Sequence, residues 1–85
     1  MLFALAREFA KKGSSDEALR YYERLVGIAP DYTGTYYHLG KLYEQLGRKD
    51  DAIAIYQKGM EITLKKNDHH ALSELQSALS MISDE

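Results

Sequence analysis

Three histidines, thirteen carboxylate side chains and seven tyrosines are the groups in this 85-residue sequence that could do chemistry. Their spacing argues against most of it. His69 and His70 are adjacent, so on a helix they point in different directions. His70 and Glu74 stand four residues apart, share a helix face and could hold a metal together. Two ligands fall short of the four that a structural zinc site uses, and the chain has no cysteine to complete a set. The pair reads as a solvated helix start, and no metal or cofactor is expected. The sequence contains no phosphate-cradling glycine loop, no nucleophile elbow and no H-E-x-x-H. Ser, His and Asp occur without the placing of a triad, so the chain is not expected to be an enzyme. The tyrosines read as core fillers and contact residues.

Composition narrows the remaining classes. The net charge is −2, which supplies no electrostatic reason to bind nucleic acid or an anionic membrane. No apolar run approaches the roughly 18 residues that a membrane span needs. Hydrophobic residues make up 45% of the chain, enough for a packed core and too many for disorder. The missing cysteines exclude a disulfide framework and fit a reducing, cytoplasmic setting. The chain is a single domain near the lower size limit of independent stability.

The elements that must position any site emerge from an internal repeat. Shifted by 34 residues, Leu5, Gly13, Asp16, Ala18, Tyr22 and Ile28 recur as Leu39, Gly47, Asp50, Ala52, Tyr56 and Ile62. Each unit reads as two helices. Tyr36, Leu39, Gly40, Tyr43 and Leu46 share one helical face, Gly47 ends that helix, and Asp50 is the expected N-cap of the next. That next helix presents Ala52, Ile53, Tyr56, Met60 and Leu64. In the first unit Leu2, Leu5, Ala6 and Phe9 come first, Gly13 stops the helix, and Ser15 or Asp16 restarts it. Ala18, Leu19, Tyr22, Leu25 and Val26 follow, and Pro30 breaks the chain. Gly40 and Ala6 are expected where a helix crosses its partner, opposite Ala52 and Ala18. Gly59 is expected at another close contact, because a mid-helix glycine otherwise costs about 1 kcal/mol.

These residues resemble the tetratricopeptide repeat pattern W-x2-L-G-x2-Y, A-x3-F, P. The second unit has Tyr36-x2-Leu39-Gly40-x2-Tyr43 and Ala52-x3-Tyr56, with Leu64 in the place of the proline. The first has Leu2-x2-Leu5-Ala6-x2-Phe9, Ala18-x3-Tyr22 and Pro30. The resemblance implies an all-α superhelix of two antiparallel helical hairpins. Repeat one would cover about residues 1–30 and repeat two about 31–66. The tail, about 68–83, departs from the pattern but keeps Leu72, Leu75, Leu79 and Ile82 as an apolar stripe behind a cap at Asn67 or Asp68. It reads as a capping helix over the last hydrophobic face. Leu42 and Leu46 correspond to Glu8 and Lys12, which suits a first unit with no predecessor. The array is therefore expected to be complete or nearly so.

The resemblance also implies where function sits, since such proteins bind peptides or partner proteins along the face built from the first helix of each hairpin. Phe3, Arg7 and Lys11 step by four on one such helix, and Tyr37, Lys41 and Gln45 on the other, flanked by His38 and Glu44. Side by side, the rows form an aromatic floor with cations, suited to an acidic peptide. The clamp by which one subtype holds chaperone C-termini is absent: Phe3, Arg7, His38, Asp68 and Leu72 stand nearest its positions. The expected role is an adaptor or scaffold. The alternative is a structural, self-associating repeat protein that pairs through apolar edges such as Leu2, Phe3 or the C-terminal stripe, as a weak homo-oligomer.

Overall fold

A computed structural model describes residues 2–83. Met1, which the sequence assigns to the first repeat, lies outside the described residues. Five helices follow one another: α1 Leu2–Lys11, α2 Ser15–Ile28, α3 Gly34–Gln45, α4 Lys49–Lys66 and α5 His69–Ser83. No strand occurs among the described residues, so the fold is all-α. Each helix packs on the next in sequence, and α3 also meets α5. The central helix α3 thus touches α2, α4 and α5.

One turn is used three times. The Ser14 amide donates to the Phe9 carbonyl at 2.8 Å, Arg48 to Tyr43 at 2.8 Å and Asp68 to Thr63 at 2.9 Å. Each bond spans five residues and closes a helix over a left-handed residue. Gly13 (φ 82°) and Gly47 (φ 75°) fill that place as expected, and Asn67 (φ 56°) fills the third. Asn67 is therefore the stop of α4, and Asp68 is the cap of α5: its Oδ1 accepts the Ala71 amide at 3.1 Å. Its Oδ2 accepts the Thr33 hydroxyl at 3.1 Å, and Lys66 Nζ donates to the Asp31 carbonyl at 2.9 Å. Together these bonds tie the chain entering α3 to the chain entering α5.

Asp50 and Asp16 are not caps. The turn brings the chain into helix one or two residues earlier, so α4 starts at Lys49 after Arg48, and α2 at Ser15 after Ser14, with no side-chain cap bond at either. Asp16 and Asp50 lie in the first turns, where the helix dipole favours a carboxylate.

The core is built from Ala6, Ala18, Tyr22, Leu25, Tyr36, Leu39, Leu42, Tyr43, Ala52, Tyr56, Leu75 and Ala78. Its tightest joint is reciprocal. A Cβ on Gly40 would stand 2.1 Å from Cε1 of Tyr56, and one on Gly59 2.6 Å from Cβ of Tyr36 and 2.9 Å from Cδ1 of Leu75. Gly40 therefore receives the ring of Tyr56, where the sequence suggested Ala52. Gly59 makes its expected close contact with two helices at once.

Four expected packing residues are exposed. Leu5 is 44% accessible although its repeat counterpart Leu39 is at 1%, because α3 lies between α2 and α4 whereas α1 packs extensively only on α2 and reaches α3 through Phe3. Leu46, expected to meet the preceding unit, sits at the end of α3 and is exposed, as are Leu64 and Ile28 near the ends of α4 and α2.

Gly40→Ala is expected to lose about 3 kcal/mol and Gly59→Ala about 2 kcal/mol through overpacking. Gly27→Ala, whose methyl would meet nothing within 4 Å, should gain about 0.5 kcal/mol of helix propensity. Urea unfolding of the three variants checks the order. The Ala71 amide first, and then the Thr33 hydroxyl, hold the Asp68 carboxyl below its ordinary 3.8. Its contribution is present at neutral pH and is lost as pH falls below 3.8 through the folded value. Asp68→Asn should keep the cap and flatten that part of the acid dependence of Tm.

Candidate functional site

The two rows predicted from sequence come from α1 and α3, and the structure joins them through aromatic rings. Phe3 meets His38 edge-on at 5.2 Å, Tyr22 at 6.1 Å and Tyr32 at 5.1 Å. It also lies against Gly34, where a Cβ would stand 3.7 Å from its Cζ. Phe3 is thus half-buried packing that carries α1 onto α3, as well as a border of the face. His38 stacks on Tyr22 at 6.3 Å with planes 5° apart, and Tyr37 meets it edge-on at 5.8 Å.

Each ring row carries a cation. The Arg7 guanidinium lies 5.8 Å from the centre of the Phe3 ring, and Lys41 Nζ 5.6 Å from that of Tyr37. Both are one helical turn from their ring, which is why spacing by four finds them. Lys11 and Gln45 extend the rows and are exposed.

A core tyrosine helps to place Lys41. The hydroxyl of Tyr56 donates to Oε2 of Glu44, and the same oxygen lies 3.8 Å from Lys41 Nζ. Burial first, and that hydrogen bond second, push the Tyr56 hydroxyl well above its ordinary 10, so it stays a neutral donor. Tyr43 behaves alike: its hydroxyl donates to Glu23 Oε2 at 2.7 Å, its ring lies 4.7 Å from the Arg48 guanidinium, and burial raises its pKa.

The periodicity missed the contribution of α5. An open groove of about 260 Å³ runs between α3 and α5, where Tyr37 and Lys41 face His70, Ser73, Glu74 and Met81. Read by sequence, His70 and Glu74 were a solvated helix start with no tie to the α3 row. The signal lies in a shift of 36 rather than 34. It aligns buried or half-buried Leu72, Leu75 and Leu79 with Tyr36, Leu39 and Tyr43, and thereby places Ser73, Ser77 and Met81 opposite Tyr37, Lys41 and Gln45. His70 Nε2 lies 3.6 Å from Glu74 Oε2. Among the described residues no group of three or more His, Cys, Asp or Glu is placed to hold a metal. No helix there is long and apolar enough to cross a membrane.

The order of helices, the repeated turn and the glycine joint can be set beside known proteins. A family model described as RMD1-3, Regulator of microtubule dynamics protein 1-3, matches residues 1–83. The crystal structure of a tetratricopeptide repeat domain protein from Salinibacter ruber is 48% identical over 96% of this chain and 91% of that one, with a TM-score of 0.91. A solution NMR structure of a tetratricopeptide repeat domain protein from the same organism is 49% identical over 94% of this chain and 81% of that one, also with a TM-score of 0.91. The chain is a tetratricopeptide repeat protein and belongs to the family that the model describes. No curated protein matches significantly. Tetratricopeptide folds generally mediate protein–protein interaction and are generally not enzymes.

The face of this repeat protein is electrically divided. Arg7, Lys11 and Lys41 give α1 and α3 an excess of cations over Glu44, whereas α5 presents Glu74 beside His70. Phe3→Ala should cost about 2 kcal/mol, less than a fully buried ring. Lys11→Ala and Gln45→Ala should stay within about 0.5 kcal/mol of the parent. Thermal unfolding followed by circular dichroism separates the packing member of the rows from the surface members.

Proposed function

We propose that this chain is a protein-interaction module that binds a partner protein or peptide, acidic in character, along the face formed by α1, α3 and α5. The observation that supports this most is the pairing of each row's cation with its own aromatic ring, Arg7 with Phe3 and Lys41 with Tyr37. An acidic segment laid across these rows gains charge-assisted hydrogen bonds from the cations and apolar contact with the rings. Phe3, Arg7, Lys11, Tyr37, His38, Lys41 and Gln45 are the proposed contact residues. The α5 side, with Ser73 and Met81, closes the groove and supplies hydroxyl and thioether contacts. The proposed setting is the cytoplasm, and the proposed role is that of an adaptor or scaffold.

Arg7→Glu with Lys41→Glu should weaken binding of acidic peptides at least about tenfold while helicity is unchanged, and raised salt should weaken the parent in the same direction. Fluorescence anisotropy with a panel of acidic peptides measures this. The family's description as a regulator of microtubule dynamics makes microtubules themselves a further target to test beside the panel. Equal affinity of parent and double variant for every peptide that binds would overturn the reading. A second reading, self-association through apolar edges, draws on the exposed Leu5 and Ile28. Light scattering at high micromolar concentration decides it, a single-chain mass counting against it.

A further inference from the structure

The end helix α1 packs along α2 and reaches α3 through the ring of Phe3, which rests on Gly34 and His38. His38 is therefore one half of the contact that fastens the first helix to the central one. Its imidazole is half-buried and enclosed by rings from three helices: Phe3 of α1, Tyr22 of α2 and Tyr37 of α3 itself. We propose that His38 is a proton-operated latch, which holds α1 against α3 when neutral and releases α1 when protonated.

An imidazolium wedged among these side chains gives up part of its water shell, and the faces of the rings return only part of that loss. The Arg7 guanidinium, poised over the same Phe3, adds like-charge repulsion from α1. From α2 the ring faces Tyr22, whose hydroxyl burial keeps protonated and neutral. On α3 its neighbours are Tyr37 and, one turn on, Lys41. From α5 it feels Glu74, whose charge favours the proton. Desolvation and Arg7 outweigh Glu74, so His38 stays neutral to a lower pH than a free histidine. When α1 lifts away, His38 regains water and leaves Arg7, and its proton affinity returns toward the ordinary 6.5. The lifted form thus binds protons more tightly, and lowering the pH below 6.5 drives the equilibrium toward it. The gain in opening is up to about tenfold for each pH unit by which the docked value lies below the free one. The latch works whether or not the neighbouring face binds a partner.

Hydrogen exchange of the full chain at about pH 7.5 and about pH 5, corrected for intrinsic exchange rates, tests the latch. Amides of α1 should lose protection several-fold at the lower pH relative to those of α4. The midpoint of that loss should coincide with the titration of the His38 ring protons followed by NMR. In His38→Gln, which keeps a neutral polar side chain, the ratio of α1 to α4 protection should be the same at both pH values. Constant α1 protection in the parent, an equal loss in α1 and α4, or a loss that persists in His38→Gln would each overturn the proposal. Should the variant fail to fold, the comparison of midpoints in the parent still decides: coincidence supports the latch and separation overturns it.

Discussion

The closeness of α3 to α4 is the constraint on which the rest depends. Gly40 admits the ring of Tyr56, and Gly59 admits Tyr36, so each helix lends a glycine to the other's tyrosine. Each such glycine costs about 1 kcal/mol of helix propensity, and burial of two aromatic rings offsets that cost. The rings then carry polar ends outward. Tyr56 delivers its hydroxyl to Glu44, which stands beside Lys41, and Tyr36 delivers its own to the carbonyl of Pro30 at the entrance to α3. Gly59 also admits Leu75, so the same joint seats α5 and opens the groove beside Tyr37. A packing contact in the core thereby fixes the geometry of a surface 34 residues of sequence could only outline.

Much of this was legible from spacing alone. Gly13 and Gly47 declared two turns because glycine takes a left-handed conformation at no steric cost. The pairs at 34 residues identified the helices, and Gly59 announced a close contact by being a poor helix former in a helix. The misreadings share a cause, which is that a repeat encodes a unit and not its neighbours. Leu5 and Leu39 are the same letter in the same register, yet one is exposed and the other buried, since α1 lacks the second flanking helix that α3 has. Asp50 looked like a cap because its type is right, but the turn at Gly47 brings the helix in at Lys49, and Arg48 is instead engaged with Asp51 at 2.8 Å.

The candidate site divides in the same way. Its α1 and α3 rows were readable because ring and cation lie one turn apart on a single helix. The α5 side was hidden because it depends on how one helix is laid against another. Replacement of motif aromatics by Leu72 and Leu79, and a register two residues longer, removed the landmarks that would have aligned α5 with α3. His38 shows the limit most clearly. Its position among three rings and near two opposite charges comes from α1, α2 and α5 as much as from its own helix.

Every helix pair in substantial contact is either consecutive or separated by one intervening helix. Chain segments that meet in the native state are thus already near one another in the unfolded chain, and little loop-closure entropy stands between them. Such topologies fold in microseconds to milliseconds. The joint between α3 and α4 brings together helices separated only by a three-residue turn, so the tightest packing in the molecule is also among the quickest to find. The same holds toward both ends, where three residues separate α1 from α2 and two separate α4 from α5, so the chain can be assembled joint by joint with no distant pairing to await.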